Sequence, residues 1–512
     1  MLTNKSSFFY RFLIVMVLLL SCTVVFSRLQ AATNPSPTDS LKKDSSLPLL
    51  AAYTAIPKDT SLVAQPFDYP YIVIKNINIK GNKITKRPII LREMTFHAGD
   101  TVRLEELEKT FKQNRNNIYN TRLFNEVSLK IEQLKDNIAD IIVNVEERWY
   151  IFPSPIFEIA DRNFNEWWNT HNRDFKRTQY GLFLGIDNFR GRKERVKLLA
   201  QFGYTQKFDI SYSIPYIDKK RQIGLNPFVS FSNNREIYYT TQDNKQVFFS
   251  DNEKMMRSRF KAGINMTYRP NIHESHNGSV TYFYNTIADT VAKINPDYFL
   301  DGRTTQQYVQ LFYGFTDDHR DIAAYPRSGY FLRAQVAQLG VPAIFSDISI
   351  TSLYASYTRY IPLGKRWFGV ANARGKLSFP AIQPYFNQQG GMGYGSSSLR
   401  GYEYSVIDGQ MFGLLRTAMR YELLNKKFKN NIIKAPQFRT IPLAIYLKTY
   451  AETGYVRDAY YYEANPLTNV LLGSTGLGID VLSVYDWLWS LEYSVNLQGQ
   501  HGFFISFSLN YD

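Results

Sequence analysis

A single arginine stands in a segment rich in glycine and serine. The segment reads "GMGYGSSSLRGYEYS" (391–405), and Arg400 lies between Leu399 and Gly401. Glycine lets a backbone turn tightly and pass close to a wall, and a guanidinium carries a permanent charge with donors spaced to bind a carboxylate. The pattern therefore predicts a loop whose arginine is held by an acidic partner. The alternative interpretation is a surface loop with an ordinary solvated arginine.

Two glutamates are candidate partners for this arginine. Glu452 lies in "IYLKTYAETGYV", and Glu422 lies in "LLRTAMRYELL". Both segments alternate, and each glutamate falls on the face opposite the more apolar residues, as expected for the inner face of a barrel strand. An arginine buried without a counter-charge would be costly to desolvate, so at least one acidic partner is expected.

The chain shows no motif of an enzyme. It lacks G-x-S-x-G, H-E-x-x-H and a Walker-type loop, and no Lys-Ser/Thr pair follows the glycine-rich segment. His273 and His276 could contact a metal ion as a pair, but no third ligand is evident beside them. Cys22 is the only cysteine, so disulfides and cysteine catalysis are excluded. The sequence predicts a protein without enzymatic activity, cofactor or metal.

The composition favours a membrane protein made of strands. The chain has 512 residues, a formal net charge of +15 and a mean hydropathy of −0.30. Its basic residues are scattered between acidic ones, which favours a surface beside anionic lipid over one that binds nucleic acid. Aromatic residues form 15% of the chain, and this excess favours β structure and a membrane interface.

The N-terminus reads as an export signal followed by a tether. Lys5 and Arg11 precede an apolar run that is too short for a comfortable membrane span, so residues 1–32 are predicted to be a signal peptide. The segment "LLSC" ending at Cys22 leaves an alternative open, a lipoprotein signal with this cysteine lipidated. Residues 33–69 are rich in Pro, Ser, Thr, Lys and Asp, and are predicted to be a flexible tether.

Residues 70–148 are predicted to form a small α+β domain. "YIVIKNINIKGN" alternates like a strand, and "TKRPIILREMTF" has Pro88 in the first turn of a short helix. "RLEELEKTFKQNRNNIYNT" carries the apolar face of a second helix, and two strands joined by a polar turn follow. The predicted order is β-α-α-β-β, with "HAGDTV" as a turn between the helices.

Residues 149–512 are predicted to form a transmembrane β-barrel. Segments of about ten residues alternate between apolar and polar positions, and polar turns separate them. In "DWLWSLEYSVNL" one face carries Trp487, Trp489 and Leu491, and the other carries Ser490 and Glu492. At roughly 21–23 residues per strand and turn, this length gives about sixteen strands, an even number as expected. A soluble β-sandwich is the alternative, but it would need neither the signal peptide nor the aromatic belts.

The N-terminal domain resembles a POTRA domain, the periplasmic module of outer-membrane assembly and secretion barrels. The matching segments are the turn after the first strand, "LREMTFHAGD" (91–100) and "NTRLFNEV" (120–127). The residues that carry the resemblance are Gly81, Asn82, Glu93, Gly99, Asp100 and Phe124. One such unit is found, because residues 33–69 are too short and too polar to hold another.

The region 149–512 resembles the barrels of the BamA, TamA and two-partner-secretion family. The segment "LRGY" is similar to the family's VRGF/VRGY loop motif, with leucine in place of valine. The resemblance implies that this loop folds into the lumen and that its arginine pairs with acidic residues on the inner wall. "AETGYV" matches the acidic strand motif through its glutamate, whereas the order of basic and acidic residues in "RYELL" is reversed relative to the family. The loop motif comprises Leu399, Arg400, Gly401 and Tyr402, its candidate partners are Glu452 and Glu422, and a hairpin motif comprises Asp321, Pro326, Arg327 and Gly329.

The resemblance implies a fold that is mainly β, with one small α+β POTRA domain followed by a sixteen-stranded antiparallel transmembrane β-barrel. It implies a non-enzymatic insertase or translocase in the outer membrane, whose POTRA domain lies in the periplasm. The expected partners are unfolded outer-membrane proteins, outer-membrane lipid and lipopolysaccharide, with periplasmic or lipoprotein accessory subunits left open. Two alternatives are a two-partner-secretion translocator that exports a dedicated protein and a plain porin or ligand channel.

Overall fold

The computed structural model describes most of the chain after the predicted tether. The described residues are 69–159, 166–170, 172–251, 254–342, 344, 346–380, 385–394, 397–429 and 440–509. The predicted signal peptide and nearly all of the predicted tether lie outside the described residues, as do Cys22 and the last residues of the chain.

Strands make up most of the described structure, and helices are few. The strands are β1 Tyr71–Lys80, β2 Thr101–Arg103, β3 Phe124–Lys135, β4 Ile138–Glu147, β5 Ile151–Ile159, β6 Thr178–Phe189, β7 Glu194–Gly203, β8 Thr205–Ser213, β9 Ile223–Asn234, β10 Glu236–Gln242, β11 Lys245–Ser250, β12 Arg257–Tyr268, β13 Glu274–Ile287, β14 Thr305–Asp318, β15 Gly329–Leu339, β16 Ile350–Pro362, β17 Trp367–Phe379, β18 Gly390–Met392, β19 Ile407–Asp408, β20 Met411–Lys429, β21 Thr440–Arg457, β22 Leu472–Leu482, β23 Trp487–Asn496 and β24 His501–Leu509. The α-helices are α1 Arg87–Leu91, α2 Leu104–Tyr119 and α3 Asp289–Ile294.

The first four strands form a sheet of their own, in the order β2-β1-β4-β3. Helix α1 carries Pro88 at its start, where a missing N–H costs nothing, and α2 follows β2 directly. The predicted order β-α-α-β-β lacked β2, because three residues are too few to show an alternating pattern. Residues Tyr71–Val73 of β1 pair with β2. The last residues of the predicted turn "HAGDTV" therefore lie in a strand.

The chain divides into two compact units. Among the described residues, the first comprises residues 69–78, 96–111 and 130–142, and the second comprises residues 79–95 and 112–129 together with the described residues from 143 onward. Within the first unit, Gly99 N–H donates to Ile74 O at 2.7 Å, and the rings of Phe96 and Phe111 pack with their centroids 6.1 Å apart.

The second unit contains a sixteen-stranded sheet, in the order β24-β23-β22-β21-β20-β17-β16-β15-β14-β13-β12-β9-β8-β7-β6-β5. Its described pairings are antiparallel, and most of them join strands that are consecutive in the chain. Two small extra hairpins, β10 with β11 and β18 with β19, belong to the connections between its strands.

The two faces of this sheet differ in polarity. In β23, the side chains of Trp489 and Leu491 are exposed, whereas those of Ser490, Glu492 and Ser494 are buried. Exposed apolar side chains on one face and buried polar side chains on the other are expected where the outer face meets lipid and the inner face lines a lumen. The sheet is an antiparallel β-barrel, and the predicted fold class is confirmed.

The connections at one end of the barrel pack against each other. The hydroxyls of Tyr238 and Thr241, from the hairpin β10–β11, donate to the buried carboxylate of Asp408 in β19. Asn244 Nδ2 in the same hairpin donates to Val406 O at 3.1 Å. These contacts join the connection after β9 to the connection after β17, although the strands are well separated in the sheet order. None of the described helices is long and apolar enough to cross a membrane.

Candidate functional site

Arg400 lies against the inner faces of β21 and β23. Its Nη1 donates to Glu452 Oε1 at 2.6 Å, and its backbone N–H donates to Glu452 Oε2 at 3.1 Å. Its Nε forms an ion pair with Glu492 Oε1 at 2.9 Å. The side chain of Glu452 is fully buried, and that of Arg400 is 30% exposed. The guanidinium also lies 4.6 Å from the ring centroid of Tyr450, so one arginine contacts two carboxylates and an aromatic face.

The three residues beside Arg400 fix the tip of the loop. Leu399 is buried in an apolar cluster with residues of β20, β21 and β22. Gly401 has a φ of +81°, and a Cβ there would approach the Cβ atoms of Asn496 and Ser474 to 3.3 Å. Asn496 Nδ2 donates to Gly401 O at 2.6 Å, and the hydroxyl of Tyr402 donates to Gly473 O at 3.1 Å. The left-handed φ therefore favours glycine at this position, and an added Cβ would be in tight contact with both neighbours.

A second set of charges continues the network along the wall. The Lys448 ammonium contacts Asp480, and it lies 2.7 Å from Glu492 Oε1. The Asp480 carboxylate also accepts from Ser490 Oγ at 2.6 Å and from Tyr325 Oη at 2.8 Å. The side chains of Lys448, Asp480 and Glu492 are almost fully buried. Each of these charges has a partner at hydrogen-bond distance, as buried charges require.

Arg416 adds a second cation beside Glu452. Its Nε lies 3.5 Å from Glu452 Oε2, and its Nη2 donates to Ser398 O in the loop. The inner wall therefore holds the loop by its backbone as well as through the Arg400 side chain.

Glu422 does not join this network. Its Oε2 accepts from Arg327 Nη1 at 2.7 Å and from Asn425 Nδ2 at 2.9 Å. Arg327 also donates to Lys365 O at 2.8 Å, so the arginine of the hairpin motif ties β20 to the turn between β16 and β17. The structure thus pairs Glu422 with Arg327 rather than with Arg400, because Glu422 lies about six residues further along β20 than Arg416, roughly 20 Å away.

The other hairpin-motif residues shape the turn before β15. Asp321 Oδ1 accepts from the backbone N–H groups of Arg327 and Ser328, at 3.0 and 3.3 Å. Pro326 is buried within the same turn. Gly329 has a φ of +99°, and a Cβ there would lie 1.9 Å from the carbonyl oxygen of His319. These contacts define the turn and place Arg327 toward Glu422.

The POTRA-motif residues have structural roles. Gly81 has a φ of +94°, and a Cβ there would lie 1.9 Å from Val145 O. Asn82 Nδ2 donates to Thr85 O at 3.0 Å, which closes the turn after β1. Phe124 is fully buried.

The motif's second turn lies in the first compact unit. Gly99 has a φ of +98°, and Asp100 Oδ2 accepts from His97 N–H at 2.7 Å. The backbone conformation of Gly99 and the hydrogen bond of Asp100 belong to a turn that only a few residue types can form, which explains the resemblance in this segment.

Glu93 is the one POTRA-motif residue with an unusual charge environment. Arg269, in the turn after β12, donates to both of its carboxylate oxygens at 2.7 and 2.8 Å, and Lys193 Nζ lies 4.0 Å away. Burial by itself would raise the pKa of Glu93, but the charges of Arg269 and Lys193 outweigh that effect and hold the pKa below its usual value. All three residues belong to the second compact unit.

Sequence reasoning did not name Glu492, Arg416, Lys448 or Asp480 as members of the network around Arg400. Glu492 lies on the polar face of "DWLWSLEYSVNL", and Arg416 lies on the polar face of "LLRTAMRYELL", so alternation placed both on the inner wall. The alternating pattern does not show where a residue lies along the barrel axis. That position decides which residues of the inner wall come into contact.

The described residues contain no group of three or more His, Cys, Asp or Glu side chains arranged to hold a metal ion. His273 and His276 point to different partners. The ring of His273 stacks on that of His319 with centroids 4.0 Å apart, and His276 Nδ1 lies 2.8 Å from Tyr313 Oη. The ion pairs of Arg400 with Glu452 and Glu492 can hold the loop against the inner wall of the barrel.

Two family models match the chain. The Omp85 superfamily domain matches residues 188–440, which include the hairpin motif and the loop with Arg400. The POTRA model, described as a surface antigen variable number repeat, matches residues 72–148, which include all six POTRA-motif residues. No curated protein sequence matches the chain.

The chain is also similar to several solved structures. BamA from Haemophilus ducreyi lacking POTRA domains 1–3 is 15% identical, with 85% of this chain and 84% of that chain covered and a TM-score of 0.48. CdiB from Escherichia coli is 13% identical, with 83% and 72% covered and a TM-score of 0.48. CdiB from Acinetobacter baumannii is 13% identical, with 86% and 74% covered and a TM-score of 0.44.

The two family matches lie in the same order along the chain as the two sheets that they cover. The POTRA match covers the four-stranded sheet, and the Omp85 match begins in β6 and ends at the start of β21. The chain contains a POTRA domain, residues 72–148, followed by an Omp85 superfamily domain, residues 188–440, which lies within the sixteen-stranded β-barrel.

Proposed function

We propose that this protein receives unfolded outer-membrane proteins on its POTRA domain, residues 70–148, and that its barrel, residues 149–512, assists their insertion into or translocation across the outer membrane. In this proposal residues 1–32 are removed as a signal peptide, and residues 33–69 tether the POTRA domain in the periplasm. The protein acts without catalysis or cofactor.

The edge of the N-terminal sheet is the observation that carries the proposal. β3 has twelve residues and stands last in the order β2-β1-β4-β3, so the described sheet pairs it on one side. Its second half carries the exposed side chains of Lys130, Gln133 and Leu134. An edge strand presents backbone N–H and C=O groups to which an extended client segment can add. The other edge, β2, has three residues and offers a much shorter template.

The end strands of the barrel sheet support a role in insertion. β5 reads "IFPSPIFEI", and its ladder with β6 runs without a register shift from Ile151 to Ile159. Pro153 and Pro155 lack N–H groups, and residues two apart in a strand direct those groups to the same side. Because the β6 side is continuously paired, the missing donors belong to the opposite side. A seam at that side of β5 would hold fewer hydrogen bonds and could open for a client strand.

The clamped loop supports the same role. Arg400 and its neighbours hold the connection between β17 and β20 against β21, β22 and β23, the three strands that precede β24 in the sheet. We infer that the loop stiffens this wall while β24 stays free to part from β5. Folding and lipid burial of the client would supply the free energy, since the mechanism uses no nucleotide.

Depletion of the protein followed by outer-membrane proteomics tests the proposal. We expect several barrel proteins to fall together in the outer membrane, with their unfolded forms accumulating in the periplasm. Loss of one secreted protein with normal barrel proteins would instead indicate a two-partner-secretion translocator. Loss of solute uptake alone would indicate a porin or ligand channel. Either result would contradict the proposed role.

A further inference from the structure

One turn of the barrel enters the lumen and contacts charged side chains of the inner wall. The turn between β14 and β15 (residues 319–328) carries Tyr325, whose side chain is buried. The Tyr325 ring stacks on that of Tyr446 in β21 with centroids 4.3 Å apart, and it meets Phe368 in β17 edge-on at 6.1 Å. Its hydroxyl donates to Asp480 in β22 at 2.8 Å. One tyrosine thus joins this turn to three strands that do not neighbour β14 or β15 in the sheet.

The same turn is also held by the POTRA domain. Asn120 follows helix α2 directly, and its Nδ2 donates to Asp321 O at 3.3 Å while its Oδ1 accepts from Ala323 N–H at 3.0 Å. Asn120, this turn and the strands of the inner wall all belong to the second compact unit. A movement of Asn120 would therefore pull on the backbone of the turn two residues before Tyr325.

Ion pairs continue from Asp480 to the loop that carries Arg400. The Lys448 ammonium lies between two carboxylates, and it contacts Asp480 on one side and Glu492 on the other. Glu492 Oε1 in turn pairs with Arg400 Nε at 2.9 Å. Since one carboxylate oxygen serves both cations, the share that each cation receives depends on how strongly Asp480 holds Lys448.

Negative charge beside the loop makes this balance sensitive. Glu403 lies three residues after Arg400, and it is close enough to Glu452 and Glu492 for their negative charges to repel. Arg416 lies 3.5 Å from Glu452 and supplies a second cation there. Because these carboxylates repel one another, each relies on the cations within its reach. The loss of a cation from one carboxylate therefore changes the pairing of the next.

Arg420 in β20 is the cation that a movement of Tyr325 would release. Its guanidinium lies 4.6 Å from the centroid of the Tyr325 ring, and its Nε is buried without a hydrogen-bond partner among the described residues. The charge of Arg420 also acts on Asp480. A guanidinium is attracted less strongly to an aromatic face than to a buried carboxylate. We therefore expect Arg420 to move to Asp480 once the ring leaves.

We propose that Tyr325 is a positioning residue, which couples the position of the POTRA domain to the hold of the inner wall on Arg400. The coupling works by an exchange of ion pairs between two discrete arrangements of the wall, the kind of element that links distant sites in a protein. The exchange is a property of this chain by itself. Its use during insertion, where a client on the POTRA domain would displace Asn120, rests on the proposed function.

The two arrangements differ in the partners of the inner-wall cations. In the arrangement that the structure shows, Tyr325 and Lys448 both contact Asp480. In the other arrangement Tyr325 has left the lumen, and Arg420 pairs with Asp480. Lys448 is then released from Asp480 and competes for Glu492, so the arginine of the loop keeps its pair with the carboxylate of β21 alone. Withdrawal of the turn therefore loosens the loop.

Limited proteolysis of the folded barrel in detergent micelles, with no client present, tests the coupling. Chymotrypsin cleavage after Tyr402 and Tyr404 measures opening of the loop. Tyr325→Leu keeps an apolar side chain but removes the aromatic face and the hydroxyl, and it should raise the cleavage rate about tenfold, as for the loss of one hydrogen bond to a charged group. Tyr325→Phe is the matched control, because it keeps the face beneath Arg420, and it should raise the rate by less than about threefold.

Arg420→Gln separates an exchange of ion pairs from a loss of packing. In the double variant Tyr325→Leu/Arg420→Gln, no arginine can take the place of the tyrosine at Asp480, so cleavage should return to within about threefold of the native rate. Arg420→Gln alone should be cleaved at the native rate. If Tyr325 contributed packing alone, the second substitution would leave or increase the damage, and that result would overturn the proposal.

Asn120→Ala tests the contact with the POTRA domain. This variant should raise the cleavage rate, and it should not raise it further in combination with Tyr325→Leu, because both changes act through the same turn. The matched control Asn78→Ala removes an amide that donates to Glu132 at 2.8 Å within the POTRA sheet, and it should leave the rate unchanged. Equal rates for the two asparagine variants would overturn the coupling, and so would a native rate for Tyr325→Leu.

The folded, heat-modifiable gel band shows which variants have assembled. If Tyr325→Leu does not assemble, Asn120→Ala with and without Arg420→Gln gives the same test, because a withdrawn turn frees Arg420 in the same way. The depletion experiment remains separate from these measurements. Confirmed coupling together with unchanged outer-membrane proteins after depletion would support the exchange and contradict the proposed function alone.

Discussion

At Arg400 the partners are unequally buried, and this inequality determines what a substitution does. Glu452 is fully enclosed, whereas Arg400 keeps 30% of its side chain exposed. Removing the arginine therefore leaves the more buried charge without its closest partner, and Arg416 at 3.5 Å can compensate only in part. A planar fork that meets two carboxylates cannot be replaced by an ammonium, which acts as a point charge.

Arg400→Ala should destabilise the loop without preventing barrel assembly. Losing one partner of a buried pair costs about 3–5 kcal/mol, and the sixteen-stranded sheet remains intact. We expect the connection between β17 and β20 to become sensitive to added protease, and client assembly to fall. Arg400→Lys should restore resistance in part. Native behaviour of Arg400→Ala in both heat-modifiable mobility and client assembly would show that the arginine is an ordinary loop residue.

Coupling between charges distinguishes the two candidate glutamates. In a double-mutant cycle, Arg400→Ala and Glu452→Gln should deviate from additivity by more than about 1 kcal/mol, because the side chains are in contact. Arg400→Ala and Glu422→Gln should add within about 0.5 kcal/mol, since Glu422 contacts Arg327 instead. The measured quantity is the free energy of unfolding in vesicles. The charge exchange Arg400→Glu with Glu452→Arg should likewise recover more function than either change alone. Equal coupling to both glutamates would contradict the assigned pairing.

At the scale of elements, the turn between β14 and β15 depends on Gly329. Its φ of +99° already disfavours a side chain by about 1 kcal/mol, and a Cβ would also overlap His319 O at 1.9 Å. Gly329→Ala should therefore lower the thermal midpoint of the barrel markedly. Gly499→Ala is the matched control, because Gly499 has a φ of +81° with no atom within 4 Å of its added Cβ. Equal effects of the two substitutions would mean that the backbone moves to relieve the overlap at Gly329.

The edge strand β3 can be tested with proline at two neighbouring positions. Consecutive residues of a strand direct their N–H groups to opposite sides, so one of Lys130→Pro and Ile131→Pro removes a donor to β4 and the other removes a donor from the open edge. We expect one variant to destabilise the POTRA domain. The other should keep the domain folded and the barrel at normal levels while client levels fall. Normal clients with the folded variant would rule out strand addition at this edge.

At the scale of the whole molecule, an even number of antiparallel strands places both ends of the barrel on one side of the membrane. β5 and β24 are the end strands of the sixteen-stranded sheet. A protease site inserted between Ala55 and Lys58 should therefore be cut only from the periplasm. A control site inserted between Asp301 and Gly302, in the connection after β13, should be cut in intact cells. The reverse pattern of cutting would invert the proposed topology.

The sequence alone determined the class of fold, because alternation is a local property. Ten-residue segments such as "DWLWSLEYSVNL" show which side chains face outward, and the helix start at Pro88 is equally local. The residues Arg400, Glu452 and Gly329 also stand out by type and spacing. What such patterns leave out is short or non-local structure, and β2, with its three residues, is an example.

Only the tertiary structure decided which inner charges meet. Alternation places Glu422, Glu452 and Glu492 on the same wall, but their heights depend on the register between strands and on the path of the loop. β20 is nineteen residues long, so Arg416 and Glu422 on its inner face reach different neighbours, Glu452 and Arg327.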